Sequence, residues 1–499
     1  MRWFFFFAIS LSLSNSYAQV TEWSVVRDEN ILWKTMLPEG GQSAVTISEG
    51  RVFTTMHSQV EAGDPLTEPN IVGLCLDSKT GEILWEIQLP GTDPVQMAGI
   101  FSDATTFAPI VEGDKVWFFN RCGSMGCFEV ATGDKIWLRT FLPRPRHTNR
   151  QCEPLLVGDL ILTVEVKDKE AGQQMKRHKP APEGIDPREV WTYLHAIDKN
   201  TGEIRWIGKP GTSIHNTPRV GEMADGTIAV AHGRGGGHGP LERPFGMSLT
   251  RVSDGETLWS TDLGKCEASF QAHWDQRFGY WWRGREHLVL DVENGNLLRS
   301  QDVCGKVDYC QFDESAQTWK TEKDISVKGG KRMPMTNQTN IVVGDWHYFL
   351  AHEIFAIGRV HVISGKTEYL QLPVQIVSKT GSQKPDLIWS KESAILNDTK
   401  NSRGIDIVTD KRTKGTGWGH VSAAMPTLVG RNLYVPVMNG TVYVIDTEAE
   451  RLNENALVAV NDLGVAGETW SLSNFTYDSS TGRLYARTMK EVICIGKSE

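Results

Sequence analysis

The segment Ala231-His-Gly-Arg-Gly-Gly-Gly-His-Gly-Pro240 carries the densest set of chemically capable side chains in the chain. Its glycines let the backbone approach a ligand closely. Arg234 can hold a carboxylate, sulfate or phosphate in its guanidinium fork. His232 and His238, joined by His215 and His420, have the donor type a metal needs. Three readings stand: a structural loop with partly exposed histidines, a ligand loop without metal, and a metal site. No strand-to-helix context surrounds the glycines, so a phosphate-cradling or dinucleotide loop is not indicated. Trp418, in Gly415-Thr-Gly-Trp-Gly-His420, has the face to stack on a sugar or flat cofactor, and equally the bulk to plug a channel.

The elements that position these residues are repeats. One pattern recurs in eight imperfect copies: a strand, an Asp or its stand-in, a turn at Gly, then a strand carrying Trp. The clearest copies are Leu74-Cys-Leu-Asp-Ser-Lys-Thr-Gly-Glu-Ile-Leu-Trp85, Ala131-Thr-Gly-Asp-Lys-Ile-Trp137, Ala196-Ile-Asp-Lys-Asn-Thr-Gly-Glu-Ile-Arg-Trp206 and Val252-Ser-Asp-Gly-Glu-Thr-Leu-Trp259. Apolar and polar residues alternate on both sides of the turn, as in a hairpin. Asp before the Gly bonds its own backbone and closes the turn. A second hairpin precedes each copy, as in Ile341-Val-Val-Gly-Asp-Trp-His-Tyr348. Two hairpins make a four-stranded unit of about 40 to 50 residues, the size of a propeller blade.

Strand-four positions fall near Trp33, Trp85, Trp137, Trp206, Trp259, Arg299, Tyr369 and Leu452. The chain starts with a lone fourth strand and ends with three strands and no fourth. The expected fold is therefore all-β: an eight-bladed β-propeller of four-stranded antiparallel blades, its ring closed by the N-terminal strand. Closure protects sheet edges that an open array would expose.

These strand-Asp-x-x-x-Gly-x-x-x-Trp copies resemble the repeats of the PQQ-like (quinoprotein alcohol dehydrogenase-like) β-propeller superfamily, over about residues 25–497. The resemblance implies the fold strongly and an activity weakly. The superfamily includes quinone-dependent dehydrogenases and also propellers without a cofactor, such as an outer-membrane assembly scaffold. The dehydrogenases place adjacent cysteines over the quinone; no two cysteines are adjacent here. The chain is thus expected to fall in the non-dehydrogenase branch, without pyrroloquinoline quinone or calcium.

Residues 1–18 read as a secretory signal, with Arg2, an apolar stretch from Trp3 to Leu13, and the small-residue site Ser16-Tyr-Ala18. The mature domain is then 19–499. Gln19 is not a lipoprotein cysteine, and no later stretch is long enough to span a membrane. The expected location is periplasmic or secreted. The formal charge of −9, from 61 acidic and 52 basic residues, argues against nucleic acid as a partner.

Eight cysteines in an exported chain permit disulfides. Cys122 with Cys127, and Cys304 with Cys310, are the candidate pairs. Cys75 and Cys494 read as small buried strand residues. Cys152 and Cys266 stay undetermined. No Cys-x-x-Cys occurs, so zinc-ribbon and dithiol readings fail.

Propellers bind ligands at the funnel, on the face bearing the strand two-to-three and four-to-one loops. Repeat alignment places Gln42, Ser43, Asp103, Thr105, Thr106, Asn149, Arg150, His215, Asn216, Gln271, His273, Asn337, Thr339, His420, Ser422, Ser471 and Ser473 at its mouth. Such residues either bond loop backbone and water or form a neutral cup for a polar ligand. Asp103 is the only carboxylate among them. Insertions at 167–190, 300–336 and 371–414 read as a partial lid or as surface decoration. The expected function is a monomeric, non-catalytic binding or scaffold module for protein or glycan. Alternatives are a carbohydrate-active lyase or hydrolase using the funnel His and Arg residues, and a quinone-dependent dehydrogenase.

Overall fold

Asp77 closes its turn by accepting the backbone N–H groups of Lys79 and Thr80 at 2.8 and 2.9 Å. Gly81 then takes φ +76°, a conformation that glycine adopts without strain. Asp198 and Asp291 repeat the arrangement. In one copy His361 stands in for Asp, its Nδ1 accepting from Ile363 and Ser364. The glycine is bare for a second reason. The Trp33 ring lies so close that a Cβ on Gly81 would come within 2.6 Å of it.

The computed structural model describes residues 19–59, 69–92, 105–141, 153–167, 181, 183–213, 217–235, 242–264, 272–327, 339–398, 400, 404, 418 and 424–497. They form eight antiparallel blades, each ordered as its strands follow in sequence. Strands one to four span 46–89 in blade one, 110–140 in blade two, 155–211 in blade three and 219–262 in blade four. They span 273–302 in blade five, 340–371 in blade six and 427–462 in blade seven. Blade eight takes three strands from 476–495 and its fourth from Ile31–Met36, which pairs with Glu491–Ile495. The expected closure is therefore present.

Neighbouring blades are joined by one recurring contact. The strand-four indole N–H donates to a carbonyl in the next blade's turn. The pairs are Trp33 to Ser78, Trp85 to Val130, Trp137 to Lys199, Trp206 to Val252 and Trp259 to Val292, at 2.7–3.1 Å. Nearer the axis, strand-one threonines do similar work. Thr427 donates to the Phe475 carbonyl, Thr476 to Val45 and Thr46 to Pro109, at 2.6–2.9 Å. Core side chains lie between blades in successive apolar clusters.

Three expectations change. Strand four of blade seven is Leu457–Asp462 and not the segment at Leu452, because a short turn at Glu454–Ala456 delays it. The described part of the 300–336 insertion, residues 300–327, is edge decoration. Its hairpin, Val307–Asp313 with Thr318–Ile325, adds in parallel to Thr367–Gln371 at the outer edge of blade six. The cysteine pairs do not form. Cys122 packs with Phe53, Leu89 and Phe118 between blades one and two, whereas Cys127 packs with Trp117 and Ile161 between blades two and three. Cys127 also sits opposite Trp137, as Cys75 does opposite Trp85 and Cys494 opposite Trp33. All three are one repeat position, where a small apolar side chain faces an indole. Cys304 and Cys310 likewise belong to different clusters. Burial raises the Cys75, Cys127 and Cys494 thiols to about 12. Among the described residues, no helix is long and apolar enough to cross a membrane.

Candidate functional site

His232 and Arg234 do not face the funnel. Strand two of blade four runs on through Ile228–Arg234, and both side chains point into the protein at 1 % exposure. His232 lies between two hydroxyls, Thr212 at 2.8 Å on Nδ1 and Thr250 at 2.9 Å on Nε2. Burial, with Arg234 beside it, lowers its pKa to about 3, so the ring is neutral. Arg234 donates to the Pro244 and Thr261 carbonyls at 2.6 and 2.9 Å, and to Ser248 Oγ. Its fork is used to hold strands three and four of its own blade.

Trp418 neither plugs the channel nor offers a stacking face. It is fully buried between blades six and seven, edge-on to Phe355 at 5.0 Å and tilted on Tyr443 at 5.5 Å. Its indole N–H donates to the Val374 carbonyl at 2.7 Å. It is a wedge from a long loop.

The described funnel-mouth residues are buried, and most of them bond to neighbouring loops and strands; the Thr106 hydroxyl is buried without a hydrogen-bond partner among the described residues. Ser473 Oγ donates to the Gln42 carbonyl at 2.9 Å, and the Gln42 N–H donates to Thr105 Oγ1 at 2.8 Å. Ser43 shares its hydroxyl with Thr54 and Thr55, both at 3.0 Å. Ser471 donates to the Arg487 carbonyl at 2.6 Å and Thr339 to Ala424 at 2.9 Å. Arg487 in turn donates to Thr54 Oγ1 and to the Thr55 carbonyl. The loop-bonding reading holds for these residues. Asp103, Asn149, Arg150, His215, Asn216, His238, Gln271, Asn337, His420 and Ser422 lie outside the described residues.

His273 is buried at the joint of blades five and six, where its Nε2 meets the Asn340 carbonyl at 3.1 Å. Two histidines that repeat alignment passed over, His287 and His347, lie beside it. Their ring nitrogens are 3.0 Å apart, and burial holds all three pKa values well below the usual histidine range. The available signal was position: His347 sits within the apolar strand Trp346–Ala351, where an imidazole must find a partner.

The loop-bearing face also exposes apolar residues. Ile395 and Leu396 are 46 % and 66 % exposed, and Val465 is 47 % exposed. Gln375 pins this strap by exchanging two bonds with the Ile395 backbone, at 2.9 and 3.1 Å. Asp398 N–H donates to the Gly467 carbonyl at 2.6 Å and ties the strap to the loop that carries Val465.

Among the described residues, no group of three or more His, Cys, Asp or Glu is placed to hold a metal. The described cysteines are divided between clusters.

Fold and repeats together define the class: an eight-bladed β-propeller. The family model described as outer membrane protein assembly factor BamB matches residues 13–171 and 69–208. No curated protein matches the chain. Among solved structures, a quinohemoprotein alcohol dehydrogenase from Comamonas testosteroni aligns with TM-score 0.50 at 10 % identity, covering 94 % of this chain and 77 % of its own. BamB from Moraxella catarrhalis aligns with TM-score 0.35 at 12 % identity, covering 94 % and 99 %. The first likeness is one of fold alone.

Proposed function

We propose that the protein is an exported, non-catalytic propeller that binds a protein partner on its loop-bearing face and carries no resident quinone or calcium. One observation carries most of this reading. Gln42, Ser43, Thr339, Ser471 and Ser473 at the funnel mouth, with His232 and Arg234, direct hydrogen bonds to neighbouring loops and strands. What that face offers instead is apolar: Leu396, Ile395 and Val465 on a pinned strap and loop. Contiguous exposed apolar residues with a polar surround are a feature of protein contact sites. The match to an assembly-factor family supports the same reading. Export rests on the apolar leader of residues 1–18 and on that family.

The test has three arms on residues 19–499 produced through a secretory route. Adding pyrroloquinoline quinone and calcium should give neither a bound quinone absorbance nor dye-linked alcohol oxidation. A panel of polysaccharides should be neither bound nor cleaved. Photo-crosslinkers at Leu396 and Val465 should capture a discrete envelope protein that a crosslinker at Asp254, on the opposite face, does not. Quinone-dependent turnover or glycan cleavage would remove the proposal, as would crosslinking equal on both faces.

A further inference from the structure

The joint between blades five and six differs from the Trp-latched joints. At the latch position blade five presents Arg299. Its Nη2 donates to the Val362 carbonyl at 3.0 Å and to His287 Nδ1 at 3.3 Å. His287 Nε2 meets His347 Nδ1 at 3.0 Å, and His347 Nε2 meets Asn340 Oδ1 at 3.1 Å. A guanidinium only donates, so His287 Nδ1 must accept and its proton sits on Nε2. That proton points at His347 Nδ1, which fixes the His347 proton on Nε2, toward Asn340. The chain has one direction, and it holds only while both imidazoles are neutral.

The charges that act directly on the three imidazoles are cationic, and the nearby carboxylates Asp275 and Asp345 are held by Arg277. Arg299 faces His287 from strand four of blade five, and Arg219 acts on His273 and His347 from blade four. Tyr280 stacks on His287, and its hydroxyl donates to Asp275, which Arg277 also holds. Arg277 reaches across to Asp345 of blade six at 2.5 Å. Trp282 packs edge-on to His287. Outside the joint, Val303, Cys304 and Val307 of the blade-six insertion pack with Trp282, Phe349 and Tyr369. The insertion therefore straps the same joint from the rim.

We infer that this joint is an acid-operated hinge. Protonation of His287 or His347 breaks the directed chain and lets blades five and six part, while the insertion keeps them tethered. The sign follows from burial. These histidines bind protons more weakly when the joint is closed, so closure is favoured above their ordinary pKa of about 6.5 and is lost as pH falls. Each one eases opening about tenfold per pH unit below that value. His273, His287 and His347 together give up to about a thousandfold.

Hydrogen exchange on the full chain tests this at pH 7.5 and 5.5, with intrinsic rates corrected. Amides of 286–291 and 346–351 should accelerate at pH 5.5 by at least about tenfold more than those of 116–119 and 442–446, which report opening of the ring as a whole. A uniform change, or none at the joint, overturns the hinge. Imidazole nitrogen NMR of the unaltered protein supplies a second readout. His287 and His347 should both carry their proton on Nε2 at pH 7.5 and charge in step with the loss of amide protection. Charging without lost protection also overturns it. His347→Gln should reduce the pH dependence of the joint by about tenfold per pH unit; if that variant does not fold, the two measurements on the unaltered protein decide.

Discussion

Arg139 grips Glu165 with both guanidinium nitrogens, each 2.7 Å from a carboxylate oxygen, across the boundary between blades two and three. The Glu165 side chain is 4 % exposed. Burial pushes its pKa up, but Arg139, His195 and Thr163 outweigh burial and hold it below the usual carboxylate range. Arg139→Met leaves that buried charge without its ion pair, with the Thr163 hydroxyl still donating to it at 2.9 Å, and should cost about 3–5 kcal/mol. Adding Glu165→Gln should recover part of the loss. Denaturant melts of the two single variants and the double variant measure the coupling.

The Trp latch separates two energies. Trp259 is 7 % exposed and donates to the Val292 carbonyl at 2.7 Å. Trp259→Phe keeps most of the packing and removes the donor, for about 1–3 kcal/mol. Trp259→Ala also opens a cavity and should cost about 3–5 kcal/mol. Gly295→Ala should destabilise as well, by about 1–3 kcal/mol from its φ of +72° alone, with a further cost from contact with the indole. Equal losses for the two Trp259 variants would mean that the bond, and not the volume, makes the latch.

Acid should destabilise the whole ring. His195, His232, His273, His287 and His347 all have pKa values lowered by burial. Their contribution is intact above about pH 6.5 and is lost as pH falls below it. Each histidine adds about 1.4 kcal/mol per pH unit to the slope. Unfolding free energy at pH 7.5, 6.0 and 5.0 checks this, and a flat profile would contradict the buried, neutral state.

His232→Ala should act on stability and leave partner binding intact. It strands the Thr212 and Thr250 hydroxyls, at about 1–3 kcal/mol. Calorimetry against the crosslinked partner, at a temperature where the variant is folded, should give an unchanged affinity.

Removing residues 19–36 should abolish the closed ring. Blade eight would lose its fourth strand and expose an unpaired edge. Blade seven would lose the Trp23 indole and the Ser24–Asp462 bond. Light scattering should find aggregates, which a synthetic 19–36 peptide supplied during refolding should reduce.

The fold was legible because each blade repeats one physical device. Asp77, Gly81 and Trp85 have fixed spacing for reasons of turn closure and ring contact, and those reasons recur down the chain. The site was less legible because alternation in a strand hides which face is buried. The glycines at 233 and 235–237 suggested a loop, yet the ladder continues through Gly233 and carries His232 and Arg234 inward. His287 and His347 were invisible to repeat alignment because their meaning lies across a joint, 60 residues apart. Trp418 misled for the opposite reason: a glycine-flanked tryptophan looks available until the clusters around Phe355 and Tyr443 are known.

The pairing of Ile31–Met36 with Glu491–Ile495 sets an order in time. The first strand to leave the ribosome waits for the last one, so no shorter nascent chain can complete the ring. An interrupted chain keeps an unsatisfied edge at each end, which makes it a ready target for proteolysis. A chain cut before Glu491 would leave Ile31–Met36 without its partner and blade eight open.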